Sequence, residues 1–468
     1  MDWFRMLSGH ILEIYLFVLI LVVMLADLFL SQEGKRSLGG IAIVGLGVAL
    51  AASFFIPTGA DAYGLYFQRL FLMTSIFVLI QGEAFRERIG ERLGEFHTLL
   101  LFATTGLLFI SGAKDFLTLF VSVELLTVSL FILAAFLEGD GRSAEAGMKY
   151  VILGALASAF FLYGISFVYG FTGSLQFDEV ATAVARTGGD GTGVTLGLAL
   201  IVAGLCFKVG AVPFHFWVPD VYEGAPTPIT AFLTVASKGA GFAALMRVLT
   251  VMAPLAGIWT TALAVLAAAT LLYGNLGAIP QTNIKRLLGY SSIGQAGFIL
   301  IGVVAGSPEG VRAVLFYLLA YAFGAMGAFL AIVAFSRVTK SDELSDYHGL
   351  WRRSPLLAVA IAISFLSLAG FPPLGGFFGK FLLLVALLES PEHLWLGILA
   401  VASVIVSLYY YLGVIRRVLV FPPTDETPIP IPGFLKAAIV VAVVGTIILG
   451  IIQGPFVTQA DRAAWSLF

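Results

Sequence analysis

Glu124, Lys208, Lys238 and Lys380 each sit inside a long apolar stretch: DFLTLFVSVELLTVSLF, LCFKVGAVPFHFW, TVASKGAGF and FPPLGGFFGKFLLL. One carboxylate and three primary amines offer no nucleophile and base pair and no metal-ligand spacing, but they can exchange protons. Desolvation disfavours the charged ammonium and a nearby carboxylate favours it, so displacing one charge decides whether a buried lysine keeps its proton. That is the chemistry of a proton relay. Glu124, as the lone deep carboxylate, is the natural counter-charge for Lys208 or Lys149. Two further residues extend the set. His215 follows Lys208 by seven positions, about two helical turns, and Lys149 opens its own apolar stretch. For these two the competing readings are a core histidine with a satisfied hydrogen bond and a lysine that reaches a lipid headgroup.

Such residues need elements that hold them in a low-dielectric medium, and the composition supplies one. Of 468 residues 59% are hydrophobic and 12% charged, with a mean hydropathy of +1.00. A chain this apolar is solvated mostly by lipid. The net charge of -2 leaves no basic excess for nucleic acid. The single cysteine, Cys206, excludes an internal disulfide framework, and the five scattered histidines and absent glycine-rich nucleotide loop argue against a metal or nucleotide site and a resident redox centre.

Apolar runs of about 20 residues, the length that crosses a bilayer, predict an all-α membrane protein of about 14 helices. They lie near 11–30, 39–56, 64–82, 97–112, 115–137, 149–171, 195–223, 227–250, 256–280, 284–304, 312–336, 355–389, 394–415 and 434–453. The first is read as a retained helix rather than a cleaved signal. On these boundaries Glu124 lies nine residues into its span, or roughly 14 Å deep at about 1.5 Å per residue. Lys208 and Lys238 lie thirteen and eleven residues into theirs. An ionised group there costs at least about 3 kcal/mol without partners or water, and a lysine stem is too short to reach a headgroup from mid-membrane.

Spans 195–223 and 355–389 are too long for one straight helix and carry Pro213 with Pro219, and Gly370-Phe371-Pro372-Pro373 with Gly375-Gly376. Both are expected to be broken, and unwound backbone survives in a membrane only where protein or water satisfies it. Spans four to eight (97–250) and nine to thirteen (256–415) each contain five helices with the fourth broken. Five is odd, so the second unit starts from the opposite face, as in an inverted repeat. Residues 1–96 hold three preceding helices and 434–453 a last one. Fifteen of the 26 lysines and arginines, from Lys35 and Arg36 to Lys436, fall on the side opposite the N-terminus; six (Arg5, Lys114, Arg186, Arg247, Arg312 and Arg462) fall on the N-terminal side. Positive charge stays cytoplasmic, so both termini are expected on the non-cytoplasmic face. The segment SDELSDYHGLWRRSP is expected to be an exposed loop, and Gln176 to Arg186 a short surface helix.

Four stretches resemble the antiporter-like membrane subunits of proton-pumping NADH:quinone oxidoreductase (complex I) and their Mrp-type cation/proton antiporter relatives. They are FVSVELLTVSLF, LCFKVGAVPFHFWVPDVYEGAPTPITAFLTVASKGAGF, NIKRLLGYSSIGQAGF and FLSLAGFPPLGGFFGKF, and the second is long enough to be highly specific. The resemblance implies that Glu124 and Lys208 form the coupled ion pair of a half-channel, that Lys238 belongs to a central relay, and that Lys380 is the exit-side lysine. It implies a non-redox translocase subunit in a bacterial inner membrane. NADH, FMN, iron–sulfur clusters and quinone would be handled by partner subunits, among them a neighbouring M-type antiporter-like subunit and small membrane subunits. The length leaves no room for the lateral helix of the L-type branch, and Lys380 stands where the M-type branch has glutamate, which favours the N-type branch. The competing implication is an Mrp-type Na⁺/H⁺ antiporter subunit.

Overall fold

The computed structural model describes residues 9–31, 34–56, 58–186, 192–423 and 425–468; Arg5, counted above for orientation, lies outside them. Every long apolar run becomes a helix, in the order α1 (Ile11–Phe29), α2 (Leu38–Ala52), α3 (Ala62–Ala84), α4 (Leu93–Gly112), α5 (Phe116–Ala134), α6 (Gly141–Thr172), the short α7 (Phe177–Arg186), α8 (Thr192–Val209), α9 (Trp217–Gly224), α10 (Thr227–Val251), α11 (Ala256–Ala278), α12 (Ile284–Val304), α13 (Pro308–Thr339), α14 (Pro355–Ala369), α15 (Gly375–Ala386), α16 (Leu394–Leu419), α17 (Gly433–Ile451) and α18 (Gly454–Trp465). Thirteen described helices are long and apolar enough to span a bilayer, and α14 is a shorter apolar one. Both long runs split as their prolines and glycines require, into α8 with α9 and α14 with α15.

Helix starts follow from local chemistry. Asp61, Asp115, Asp140, Asn283 and Ser307 each accept a backbone N–H of the turn they open, the usual way to satisfy orphan donors at a helix N-terminus. Several helices outrun their apolar runs by a turn or more, notably α6 and α13 at 32 residues each.

Burial sorts the helices into a ring and a centre. α10, α12 and α13 are buried almost throughout, whereas α1, α6, α16 and α17 turn about two thirds of their most apolar windows outward, as a lipid-facing layer does. α13 packs on α3, α12, α14, α15, α17 and α18, which makes it the central post. Small residues permit close approach: a Cβ on Gly274 of α11 would lie 2.2 Å from the backbone nitrogen of Gly294 on α12, a contact of the small-residue kind that brings membrane helices together.

The surface helix expected over 176–186 forms as α7, with Phe177, Val180 and Val184 buried. The expected exposed loop before α14 is instead docked. Leu344, Tyr347, Leu350 and Arg353 are buried, Tyr347 stacks on Phe335 at 3.9 Å, and Arg353 donates to the carbonyl of Thr427 at 3.0 Å. Its charge made it read as solvated, while its apolar residues fold it back onto the bundle.

Candidate functional site

The two broken helices end alike. Gly210 after α8 and Gly370 after α14 take φ of +73° and +87°, a left-handed conformation that only glycine adopts at little cost. Each glycine N–H reaches the carbonyl three residues back, Gly210 to Phe207 at 3.1 Å and Gly370 to Ser367 at 2.9 Å. The next N–H reaches five back, Ala211 to Cys206 and Phe371 to Leu366, both at 2.9 Å. This Schellman closure leaves the last carbonyls of each half-helix unanswered. The donors that would continue the helix for Val209, Leu368 and Ala369 belong to Pro213, Pro372 and Pro373, which have no N–H.

Buried lysines supply the missing donors. Lys238 Nζ donates to the Val209 carbonyl at 2.6 Å and to the Ser292 carbonyl of α12 at 2.9 Å. Lys380 Nζ donates to Leu368 at 2.9 Å and Ala369 at 3.2 Å, 4.4 Å from the centre of the Phe298 ring. Each ammonium therefore faces the partially negative C-terminus of a half-helix. Lys208, Lys238 and Lys380 are only 6%, 2% and 4% exposed, so none faces lipid. A π-turn over Leu233–Ser237 immediately precedes Lys238 and resets the face of α10, a feature frequent at functional sites.

Lys208 and Glu124 do not form a contact ion pair. Lys208 Nζ, on α8, donates to Thr127 Oγ1 of α5. Glu124 lies one turn from Thr127 on the same helix and accepts from Ser158 Oγ of α6 at 2.5 Å. The direct pair implied by the resemblance is thus replaced by two hydroxyl contacts, Thr127 on Lys208 and Ser158 on Glu124.

Lys149 and His215 are placed differently. Lys149 Nζ bonds Asp220 of α9 at 2.5 Å and Glu145 at 2.7 Å, with its side chain 41% exposed; Asp220 also holds Arg286 at 2.7 Å. It belongs to a charged network at the bundle's edge because α6 begins two turns earlier than its apolar run. His215 lies in the turn after the first break, buried, with its ring 4.1 Å from that of Tyr273, and no hydrogen bond joins it to Lys208.

A polar chain that sequence reasoning missed starts next to the Lys238 site and reaches the Leu368 carbonyl held by Lys380. Ser291, beside the Ser292 carbonyl that holds Lys238, shares a hydrogen bond with the Tyr411 hydroxyl. Gln295 Nε2 donates to Tyr411 at 3.1 Å and to the Leu368 carbonyl at 2.8 Å, the oxygen that Lys380 also holds. Tyr317 donates to Gln295 Oε1. Ser291 and Gln295 are spaced by one helical turn in YSSIGQAGF, a usable signal; Tyr411, 116 positions from Gln295, gave none. Two more buried charges escaped notice. Glu13 accepts from Gln68 at 2.9 Å, and Lys285 donates to the Ala225 carbonyl at 2.7 Å. Among the described residues no group of three or more His, Cys, Asp or Glu side chains could hold a metal ion.

Residues 113–406 match the model of the family described as NADH:quinone oxidoreductase/Mrp antiporter, TM. The chain is 44% identical to NADH-quinone oxidoreductase subunit N of Moorella thermoacetica, over 99% of this chain and all of that protein. It is 39% identical to NAD(P)H-quinone oxidoreductase subunit 2 of Thermosynechococcus vestitus, over 98% and 93% of the two chains. Among solved structures it resembles a chain of respiratory complex I from Thermus thermophilus, at 33% identity with a TM-score of 0.81 over 96% of this chain and 98% of that one. A chain of the Mrp complex from Dietzia sp., at 24% identity and a TM-score of 0.85 with 97% of each chain covered, shares the fold. With the broken helices and buried lysines in place, the chain belongs to the NADH:quinone oxidoreductase/Mrp antiporter membrane family, among its antiporter-like N-type subunits.

Proposed function

We propose that this chain is the proton-carrying N-type subunit of a bacterial NADH:quinone oxidoreductase, set in the cell membrane beside an M-type neighbour and small membrane subunits, with both termini on the non-cytoplasmic face. NADH, flavin, iron–sulfur and quinone chemistry belong to partner subunits. The observation that carries this reading is the pair of buried lysines seated on interrupted helix ends, with Ser291, Tyr411 and Gln295 forming a polar chain that reaches the Leu368 carbonyl held by Lys380. An ammonium on a helix C-terminus is attracted by up to about 2 kcal/mol, which offsets part of the several kcal/mol of desolvation. A charge arriving nearby tips that balance.

In this mechanism charge reaching Lys238 shifts the hold of Glu124 on Lys208, which releases its proton toward the centre. That proton is driven toward Lys380, whose ammonium meets Gln295 at the Leu368 carbonyl; Lys380 gives its own proton to the exit side and takes up the arriving one, and the return of charge reloads Lys208. The matching breaks after α8 and α14 support reading α4–α10 and α11–α16 as two inverted five-helix units, each contributing half of the path. Replacing Lys208 or Glu124 by alanine lowers proton pumping and quinone reductase turnover in an assembled complex; wild-type values for both variants refute the proposal.

A further inference from the structure

Two arginines at one end of the bundle have no acidic partner among the described residues. Arg247 and Arg312 are each met by an aspartate, Asp61 at 2.6 Å and Asp461 at 3.3 Å. Arg69 and Arg462 are not. Arg69, seven residues into α3, bends back to the end of α2, donating to the Ser53 carbonyl at 2.6 Å and lying 4.0 Å over the Phe54 ring. Arg462 is exposed on α18. Both line one cavity of about 440 Å³ whose other walls are mostly apolar, including Leu65, Leu70, Met73 and Phe323. Phe54 and Phe55, 55% and 86% exposed, and Trp465, 57% exposed, stand around the same end, where aromatic rings mark the level of lipid headgroups.

We propose that this groove between α2, α3, α13 and α18 is a site for one anionic phospholipid. Its phosphodiester is held by Arg69 and Arg462, and an acyl chain fills the apolar cavity. Two guanidinium groups present planar donors that match phosphate oxygens, and their uncompensated charge of two selects an anionic lipid over a zwitterionic one. The apolar walls need a hydrocarbon, which free phosphate lacks. Occupancy ties α18 and the end of α2 to α3 and α13.

Native mass spectrometry of the full chain in detergent tests this with added phosphatidylglycerol, phosphatidylcholine, diacylglycerol or inorganic phosphate. The expected result is one retained phosphatidylglycerol, bound at least tenfold more tightly than phosphatidylcholine or diacylglycerol and not displaced by millimolar phosphate. The exposed Arg462→Gln weakens retention, Arg69→Gln/Arg462→Gln abolishes the preference, and Leu65→Trp lowers retention with both arginines intact. Equal retention of all lipids, unchanged binding in the double variant, displacement by phosphate alone, or a neighbouring subunit seated over Arg69 in the intact assembly would each overturn the site.

Discussion

Lys380 separates a relay from a structural cap. In the native chain its ammonium answers the Leu368 and Ala369 carbonyls. Lys380→Met removes both bonds, yet Leu368 keeps the Gln295 donor at 2.8 Å, so one carbonyl is orphaned at a cost of about 1–3 kcal/mol. Loss of the contact with Phe298 adds about 0.5–2 kcal/mol, and relief from burying an ammonium offsets part of the total. The subunit should therefore assemble, with at most a modest fall in thermal stability. Lys380→Arg is sharper: it keeps charge and donors but does not surrender a proton near neutral pH. The assay is NADH-driven acidification of vesicles holding the assembled complex, with thermal unfolding measured alongside. Both variants are expected to lose at least about tenfold in pumping, equivalent to about 1.4 kcal/mol on the rate-limiting barrier, with Lys380→Arg closer to native stability. Native pumping in a stably assembled Lys380→Arg variant would show that the lysine only caps the helix, and the reasoning would fail.

Other expectations follow from the same geometry. Tyr411→Phe removes the hydroxyl shared by Ser291 and Gln295; pumping should fall severalfold with a stability loss of about 0.5–1.5 kcal/mol, checked by vesicle acidification and chemical unfolding. Lys149→Ala acts at a 41%-exposed side chain, so pumping should change less than twofold, and a loss as large as that of Lys380→Met would move Lys149 into the path. Gly370→Ala forces a side chain into φ +87° with its Cβ 3.0 Å from Lys380. It should cost about 1–2 kcal/mol and disturb pumping together with stability, read from the same two assays.

The burial of Lys208, Lys238 and Lys380 was legible because each stands inside a long apolar stretch, and the breaks were legible because Gly and Pro act locally. Partnership was not. Lys238 caps a carbonyl 29 positions earlier and touches α12, a relation set by packing rather than spacing. Thr127 taking the Lys208 bond, in place of direct contact with Glu124, depends on how α5 and α8 face each other. Glu13 was not legible because it lies near a helix end, where a carboxylate reads as solvated; in the folded chain it is buried and bonded by Gln68 of α3. The docked segment before α14 misled for the opposite reason, since its charges masked the buried Leu344, Tyr347 and Leu350.

In the proposed path Lys238 is the central relay, so the number of protons moved per electron in a Lys238→Met complex bears most directly on the whole account. Reconstituted in sealed vesicles and driven by NADH, this variant is predicted to move fewer protons for each electron that reaches quinone, or to slow both together if coupling is tight. A full native ratio at native turnover would contradict it.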